Sequence, residues 1–447
     1  MSTEPPPKAA ETAAVPTPRK RSADELPKPV ALTAEDWPQY RGAHRDGISQ
    51  ATDLAQKWPA AGPRVMWSTP VGQGYAAPSV VGDNLYINDY DEKQDEWMVR
   101  CLSLSTGEER WRYKAKKNIR PNHGITRSAP ATDGAFVISI DPKCEVHCLD
   151  ARNGDVIWKT SLPAAFGTQI PPWYNGQCPL IDGDRVVIAT GGRAVMTALK
   201  KESGDKIWET ENHDDFLLSH GSIAPLEIAG VKQYGYTTLK GAVGVDAASG
   251  KQLWYFPWKF NTAVCSMPLP LGDGKLLLTA GYHAQTVICQ VKRAGDKWSA
   301  EEVLSLPAPT SGWNSEVHTP IVYGGHIFGI GKKQRGLWTC LDMEGNELWT
   351  SAGKSAFELG GYVLADGKFF VVEGTTGTVR VLDADADHYE ELGSFQVLEG
   401  PDAWAPPVIS RGRLLVRDMS KLVCVDIAAN TAPPAKTAAI PPTVTQK

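Results

Sequence analysis

The sequence predicts an all-β chain folded as a single eight-bladed β-propeller with four-stranded blades, and three observations predict it. A ten-residue unit, Leu149 to Trp158 (LDARNGDVIW), returns from one end of the chain to the other. Its Trp recurs at positions 111, 158, 208, 254, 298 and 349, intervals of 44 to 51 residues that belong to propellers, solenoids or arrays. Finally, a Trp strand near the N-terminus, Arg64 to Val71, has no preceding partner, while the last sheet, within 404–428, offers three strands and no fourth. Joined, the two ends complete one blade and close the ring without leaving a sheet edge open.

Each copy of the unit reads as a hairpin. In Leu149 to Trp158 an apolar strand ends at Asp150, Asn153-Gly154 supplies residues that tolerate positive φ, and Val156-Ile157-Trp158 starts the return. Close copies are Leu102 to Trp111, Leu199 to Trp208 and Val245 to Trp254, with shortened ones at Val291 to Trp298 and Leu341 to Trp349. A Trp repeated at one place in every unit is best placed between neighbouring sheets, so Trp67, Trp111, Trp158, Trp208, Trp254, Trp298 and Trp349 are expected to plug the blade interfaces.

The blades are expected at about 76–115, 126–162, 176–211, 220–258, 263–306, 317–353 and 359–398, and at 404–428 completed by 64–71. The seventh is degenerate, with its turn Gly lost and Leu392 or Phe395 standing where Trp should be. Upstream of the first blade an opening motif, Asp36-Trp37-Pro38-Gln39-Tyr40-Arg41-Gly42, continues through Asp46-Gly47-Ile48-Ser49. If that motif is peripheral, Trp37 is cheaper to lose than Trp158. Residues 1–35 and 429–447 are Pro/Ala-rich without an apolar period and read as disordered tails around a domain spanning 36–428.

Composition limits the function classes. Forty-two Gly and fifteen Trp fit many short strands, and a net charge of −5 gives no reason to expect a nucleic-acid partner. No stretch approaches the roughly 18 apolar residues of a membrane helix, so no integral membrane segment is expected. Met1 to Pro7 lacks a basic region followed by an apolar one, so no secretory signal is visible. A monomer is expected. Of eight Cys, five (Cys101, Cys148, Cys289, Cys340 and Cys424) hold one repeat position that Ala198 and Gly244 fill elsewhere, and they read as small buried residues too far apart to pair. Cys144, His147 and Cys148 resemble a metal cluster on paper, but on a strand 144 and 148 are separated by about 13 Å and His147 points the other way. No metal is expected there, and Asp214-Asp215 reads as solvated loop acids rather than a calcium site.

The unit LDAxxGxxxW with a Gly turn upstream resembles the blades of the pyrroloquinoline-quinone-like propeller superfamily. That superfamily includes quinoprotein alcohol dehydrogenases and the propeller lipoprotein of the outer-membrane β-barrel assembly machinery. The opening motif resembles more narrowly a bacterial subgroup of propeller-repeat proteins. The resemblance covers about 36–428 and implies a periplasmic or extracellular protein, with a cytoplasmic one as the alternative because no secretory signal is visible. In the enzymes of the superfamily it would imply a quinone between a Trp and an adjacent-cysteine disulfide, with Ca²⁺ held by Glu, Asn and Asp. Here no two Cys are adjacent and no Cys-x-x-Cys-His occurs. No cofactor is therefore expected, with pyrroloquinoline quinone and Ca²⁺ as the alternative. The function expected is a non-catalytic scaffold or binding propeller contacting an unknown protein or small molecule. The alternative is a quinone-dependent alcohol dehydrogenase-like oxidoreductase.

In a propeller the segments just before the innermost strands ring one end of the channel. Here they are rich in polar and aromatic residues, as a small-molecule pocket is. The ligand-binding candidates are His123, Arg127, Trp173, Tyr174, Gln177, His220, Asn261, Trp313, Asn314, Glu316, His318 and Trp404. Other catalytic signatures are lacking: Gly72-Gln73-Gly74 and Gly191-Gly192 are turns without the strand and helix of a nucleotide site.

Overall fold

The computed structural model describes residues 22–59, 62–120, 123–259, 262–282, 284–306, 313–331, 336–385 and 387–429. Both outer parts of the expected tails lie outside them. The described chain forms eight antiparallel sheets of consecutive strands in a ring. Among the described residues helix is limited to Leu162–Phe166 and a short 3₁₀ turn at Ala23–Glu25. Among the described residues no helix is long and apolar enough to cross a membrane.

The ring closes as the orphan strand predicts. Val65–Pro70 pairs antiparallel with Lys421–Asp426, placing Trp67 opposite Cys424 as the fourth strand of blade eight. The same pairing recurs at Trp111 with Cys101, Trp158 with Cys148, Trp208 with Ala198, Trp254 with Gly244 and Trp349 with Cys340. The small residue leaves room for the indole, and all eight Cys are free thiols.

Four of these indoles dock onto the next blade. Trp67, Trp111, Trp158 and Trp208 donate their Nε1–H to the carbonyls of Leu104, Ala151, Lys201 and Ala247, at 2.8, 3.1, 2.7 and 3.3 Å. Their rings lie on the turn glycines Gly107, Gly154, Gly204 and Gly250 of that blade. A Cβ on any of these would come within 2.5 to 2.8 Å of the indole. The turn glycine of the unit is therefore doubly required, for its positive φ and as a seat for the neighbouring Trp.

Trp254 keeps the pairing but donates instead to Gln233 Oε1 of its own blade, and nothing lies against Gly295 in the turn of the next blade. Blades five and seven depart from the pairing itself. In blade five Trp298 pairs with Arg293, well beyond Cys289, which faces Glu302 instead. Trp298 is thus not an interface plug: the hairpin is longer than the repeat implies, and Leu304 lies against the next turn glycine, Gly345. In blade seven the register position of the Trp falls to Gly393, opposite Val381, and Phe395 two residues further on fills the interface, where Gly62 of the closing blade packs on it and Trp58 lies 5.6 Å away. Blade seven also gains a fifth strand, because Ile48–Ser49 adds in parallel to Tyr362–Ala365.

The opening motif is not peripheral. Trp37 is 3% exposed and exchanges backbone hydrogen bonds with Val80 of blade one. Pro38 accepts from Thr132 N in blade two, and Gln39 Oε1 from Ile181 N in blade three. Arg41 donates to Thr319 and Pro320 beside blade six, Arg45 to Pro179 beside blade three. Gly47 accepts from Leu364 N of blade seven, and Ser49 Oγ donates to Ile409 O of blade eight. Residues 36–49 therefore cross one end of the channel and staple six of the eight blades together. Part of the expected N-terminal tail also lies against the ring: Arg152 donates to Glu25 O at 3.2 Å, and Val30 covers Gly134.

Candidate functional site

With one end of the channel stoppered, the other end is a blind cavity of about 260 Å³. Its floor is Tyr40 of the opening motif, set in a ring of small residues just ahead of the inner strands: Ala77, Ala129, Cys178 and Ser222. Short side chains at these repeat positions hold the channel open.

Longer side chains from the blade-connecting segments make the walls. Tyr75 and Trp404 stack with ring centroids 5.1 Å apart and planes 15° from parallel. Trp173 and Tyr282 form a second near-parallel pair at 6.4 Å and 8°. The Arg127 guanidinium lies 5.9 Å from the Tyr75 ring centroid and donates to the Trp173 carbonyl. Rim residues His123, Trp173, Tyr174, Tyr282 and Asp402 all have φ between 50° and 70°, rare for residues with a Cβ. Backbone in this region tends to gather where a side chain must be aimed at a ligand.

Burial sets the charge states. His220, whose Nε2 is 2.6 Å from Pro172 O, has a pKa lowered by desolvation. His318, 8% exposed with Nε2 3.1 Å from Leu359 O, is pushed down to about 4 for the same reason. Both are neutral at pH 7. Burial raises the Tyr75 and Tyr282 phenols and pushes the Cys265 thiol up to about 11, so that thiol is not a ready nucleophile. The His318 shift has a consequence for stability. A folded pKa below the unfolded value of about 6.5 means that the unfolded chain binds the extra proton between pH 6.5 and 4. Stability contributed by neutral His318 is therefore full above pH 6.5, falls by about 3 kcal/mol toward pH 4 and then levels off. Urea midpoints from pH 7.5 to 4 check this against His318→Gln, which should flatten the slope; parallel profiles would refute it.

Of the twelve candidates, His123, Arg127, Trp173, His220, Glu316, His318 and Trp404 line this one cavity. They come from connections on opposite sides of the ring, so only its closure brings them together. Others serve the scaffold. Gln177 is fully buried and clamps Ala189 through both its amide atoms; Asn314 donates to Ala280 O. Trp313 fills the space over Gly329 and Gly331, and Tyr174 Oη accepts from Arg120 N. Asn261 lies outside the described residues. Sequence reasoning missed Tyr40, Tyr75, Cys178, Cys265 and Tyr282. For Tyr75 a signal existed, since it too precedes an innermost strand; for Tyr40 there was none, because nothing in the repeat says that the opening motif enters the channel.

A second cluster lies between blades one and two. Asp141, Glu145 and His147 bring ligand atoms within 4.8 Å of one another. Lys117 Nζ already sits there, 2.6 Å from Asp141 and 2.7 Å from Glu145, so the cluster is an interblade ion pair supplied with its own cation. Cys144 and Cys148 take no part in it.

Comparison with known proteins places the fold. A family model described as outer membrane protein assembly factor BamB matches residues 95–350 and 239–440. No curated protein matches the chain. Among solved structures, BamB from Moraxella catarrhalis is similar over 83% of this chain and 99% of its own, at 14% identity and a TM-score of 0.57. Quinohemoprotein alcohol dehydrogenase from Comamonas testosteroni is similar over 92% and 83%, at 13% identity and 0.59. A europium-containing methanol dehydrogenase covers 86% and 89%, at 12% identity and 0.61. At such identities the structures speak for the fold alone, whereas the family match spans most of the ring. The chain thus belongs to the pyrroloquinoline-quinone-like propeller family whose model is described as outer membrane protein assembly factor BamB.

Proposed function

We propose that the protein is a non-catalytic binding propeller that takes a small molecule, or a side chain of a protein partner, into the cavity at the channel mouth. The observation that carries this reading is the convergence of Arg127, Trp173, His220, Glu316, His318 and Trp404, from five blade connections, on one cavity with a closed floor. A concave, largely apolar space with a few converging polar groups is what a ligand site requires. The family's link to outer-membrane assembly supports a periplasmic or extracellular setting, which cell fractionation tests.

The alternative, a quinone-dependent oxidoreductase, draws on a likeness of fold alone. The donor set speaks against it. Glu316 is the single carboxylate among the described lining residues, whereas Ca²⁺ takes six to eight oxygen ligands. The cavity thiols Cys178 and Cys265 belong to different blade connections, and neither has an adjacent Cys. The residues present do not fit that cofactor pair.

A thermal-shift screen of quinones, sugars and peptides tests the binding reading. Arg127→Ala and Trp404→Ala should abolish the shift given by any hit while leaving the unliganded melting temperature nearly unchanged. If both variants bind as wild type does, the site lies elsewhere, most simply on an exposed blade edge. Stoichiometric quinone uptake with Ca²⁺, together with dye reduction, would promote the oxidoreductase reading.

A further inference from the structure

Beneath the cavity floor the opening motif holds two arginines that no carboxylate among the described residues meets. Arg41, 6% exposed, directs its donors to the carbonyls of Arg45, Asp46, Thr319 and Pro320. Arg45, 3% exposed, donates to the carbonyls of Pro179 and Cys178, and its Nε is buried without a partner. Carbonyl oxygens satisfy hydrogen bonds but leave the net charge standing, and a desolvated guanidinium is strongly unfavourable without a counter-charge.

Both positions bear on the cavity. The Arg45 Cζ lies 5.7 Å from the centroid of Tyr40, the floor residue, and the carbonyl it holds belongs to Cys178, a lining residue. Arg41 borders a small void shared with Tyr40 and His318. Arg127 places a third guanidinium in the wall. Against these stand Glu316, the one carboxylate among the described lining residues, and Asp402 at the rim, while burial keeps His220 and His318 neutral. The cavity therefore sits in a positive field in low-dielectric surroundings, where a cation is repelled and an anion attracted. The stacked pairs Tyr75/Trp404 and Trp173/Tyr282 add flat apolar walls that a bare inorganic ion would leave uncovered.

We propose that the cavity takes a small organic carboxylate with a flat apolar body, its charge over the Tyr40 floor in the field of Arg41, Arg45 and Arg127, and its body against the aromatic walls. This rests on the cavity being the binding site. The plainer account, in which the two arginines only staple the inner strands, predicts no preference for charge.

The test titrates the purified full chain with 1-naphthoate, its neutral isostere 1-naphthamide, 1-naphthylmethylammonium and inorganic phosphate, read by tryptophan fluorescence and calorimetry. The expected result is that naphthoate binds at least about tenfold tighter than the amide, and that the ammonium and phosphate bind more weakly still. Arg127→Gln should narrow the carboxylate-to-amide ratio while keeping the unliganded melting temperature. The wild-type comparison decides the matter by itself if that variant does not fold. An amide or ammonium that binds as tightly as naphthoate overturns the charge assignment and leaves the binding site standing. Phosphate binding as tightly as naphthoate overturns the flat body. If none of the four binds, both this proposal and the reading of the cavity as a site fall.

Discussion

Trp158→Ala lowers the unfolding free energy by about 3–5 kcal/mol, while Trp298→Ala costs about 1–2 kcal/mol, although the two residues hold the same place in the sequence repeat. Trp158 is 7% exposed, donates to Lys201 O at 2.7 Å and covers Gly204, so truncation removes a buried aromatic, unsatisfies a carbonyl and opens a void between blades two and three. Rigid backbone borders that void on both sides, so it cannot collapse cheaply. Trp298 lies out on an elongated hairpin, beside Arg293, whose Cζ is 5.6 Å from its ring centroid. Losing it removes a half-buried contact at the edge of the core shared by blades four and five, with no interblade hydrogen bond and no turn glycine beneath the ring among the described residues. Urea melts of the two variants distinguish these cases, and equal midpoints would refute the assignment of Trp158 as a plug and Trp298 as a bystander.

That contrast marks how far the sequence could be read. The ring, its eight blades and its closure were legible because each rests on local chemistry repeated many times: a turn glycine with positive φ, a small residue opposite a Trp, an orphan strand at one end and a missing one at the other. Blade five broke the reading because VKRAGDKW keeps the letters of the unit while its register moves, so that Cys289 faces Glu302. Spacing along the chain does not report a shift in pairing. The cavity was half legible. Topology placed the connections before the inner strands around one mouth, which found Arg127, His220, Glu316, His318 and Trp404. It could not say which side chains on those connections turn inward, and Gln177, Asn314 and Trp313 turn instead into their own blades to satisfy backbone or fill space over glycines.

Trp37→Ala should cost about 3–5 kcal/mol, close to Trp158→Ala, which reverses the ranking expected for a peripheral motif. The side chain is 3% exposed and belongs to the core shared by blades one, seven and eight. Its ring rests against Gly42, where a Cβ would come within 3.1 Å, and this contact fixes the turn that aims Arg41 into the channel. Arg41 and Arg45 both adopt positive φ, at 63° and 58°, conformations that residues with a Cβ hold only when their surroundings impose them. Trp37 supplies part of that imposition, so its loss loosens residues whose donors reach Thr319, Pro320, Cys178 and Pro179 on different sides of the ring. The damage should accordingly spread beyond the mutated site. Hydrogen exchange should quicken at Leu364 N and Thr132 N, which bond to Gly47 and Pro38 of the motif, while Trp158→Ala should leave the Leu364 amide near its wild-type rate. A Trp37→Ala midpoint within about 1 kcal/mol of wild type, with both amides still protected, would show that the ring closes without its stopper.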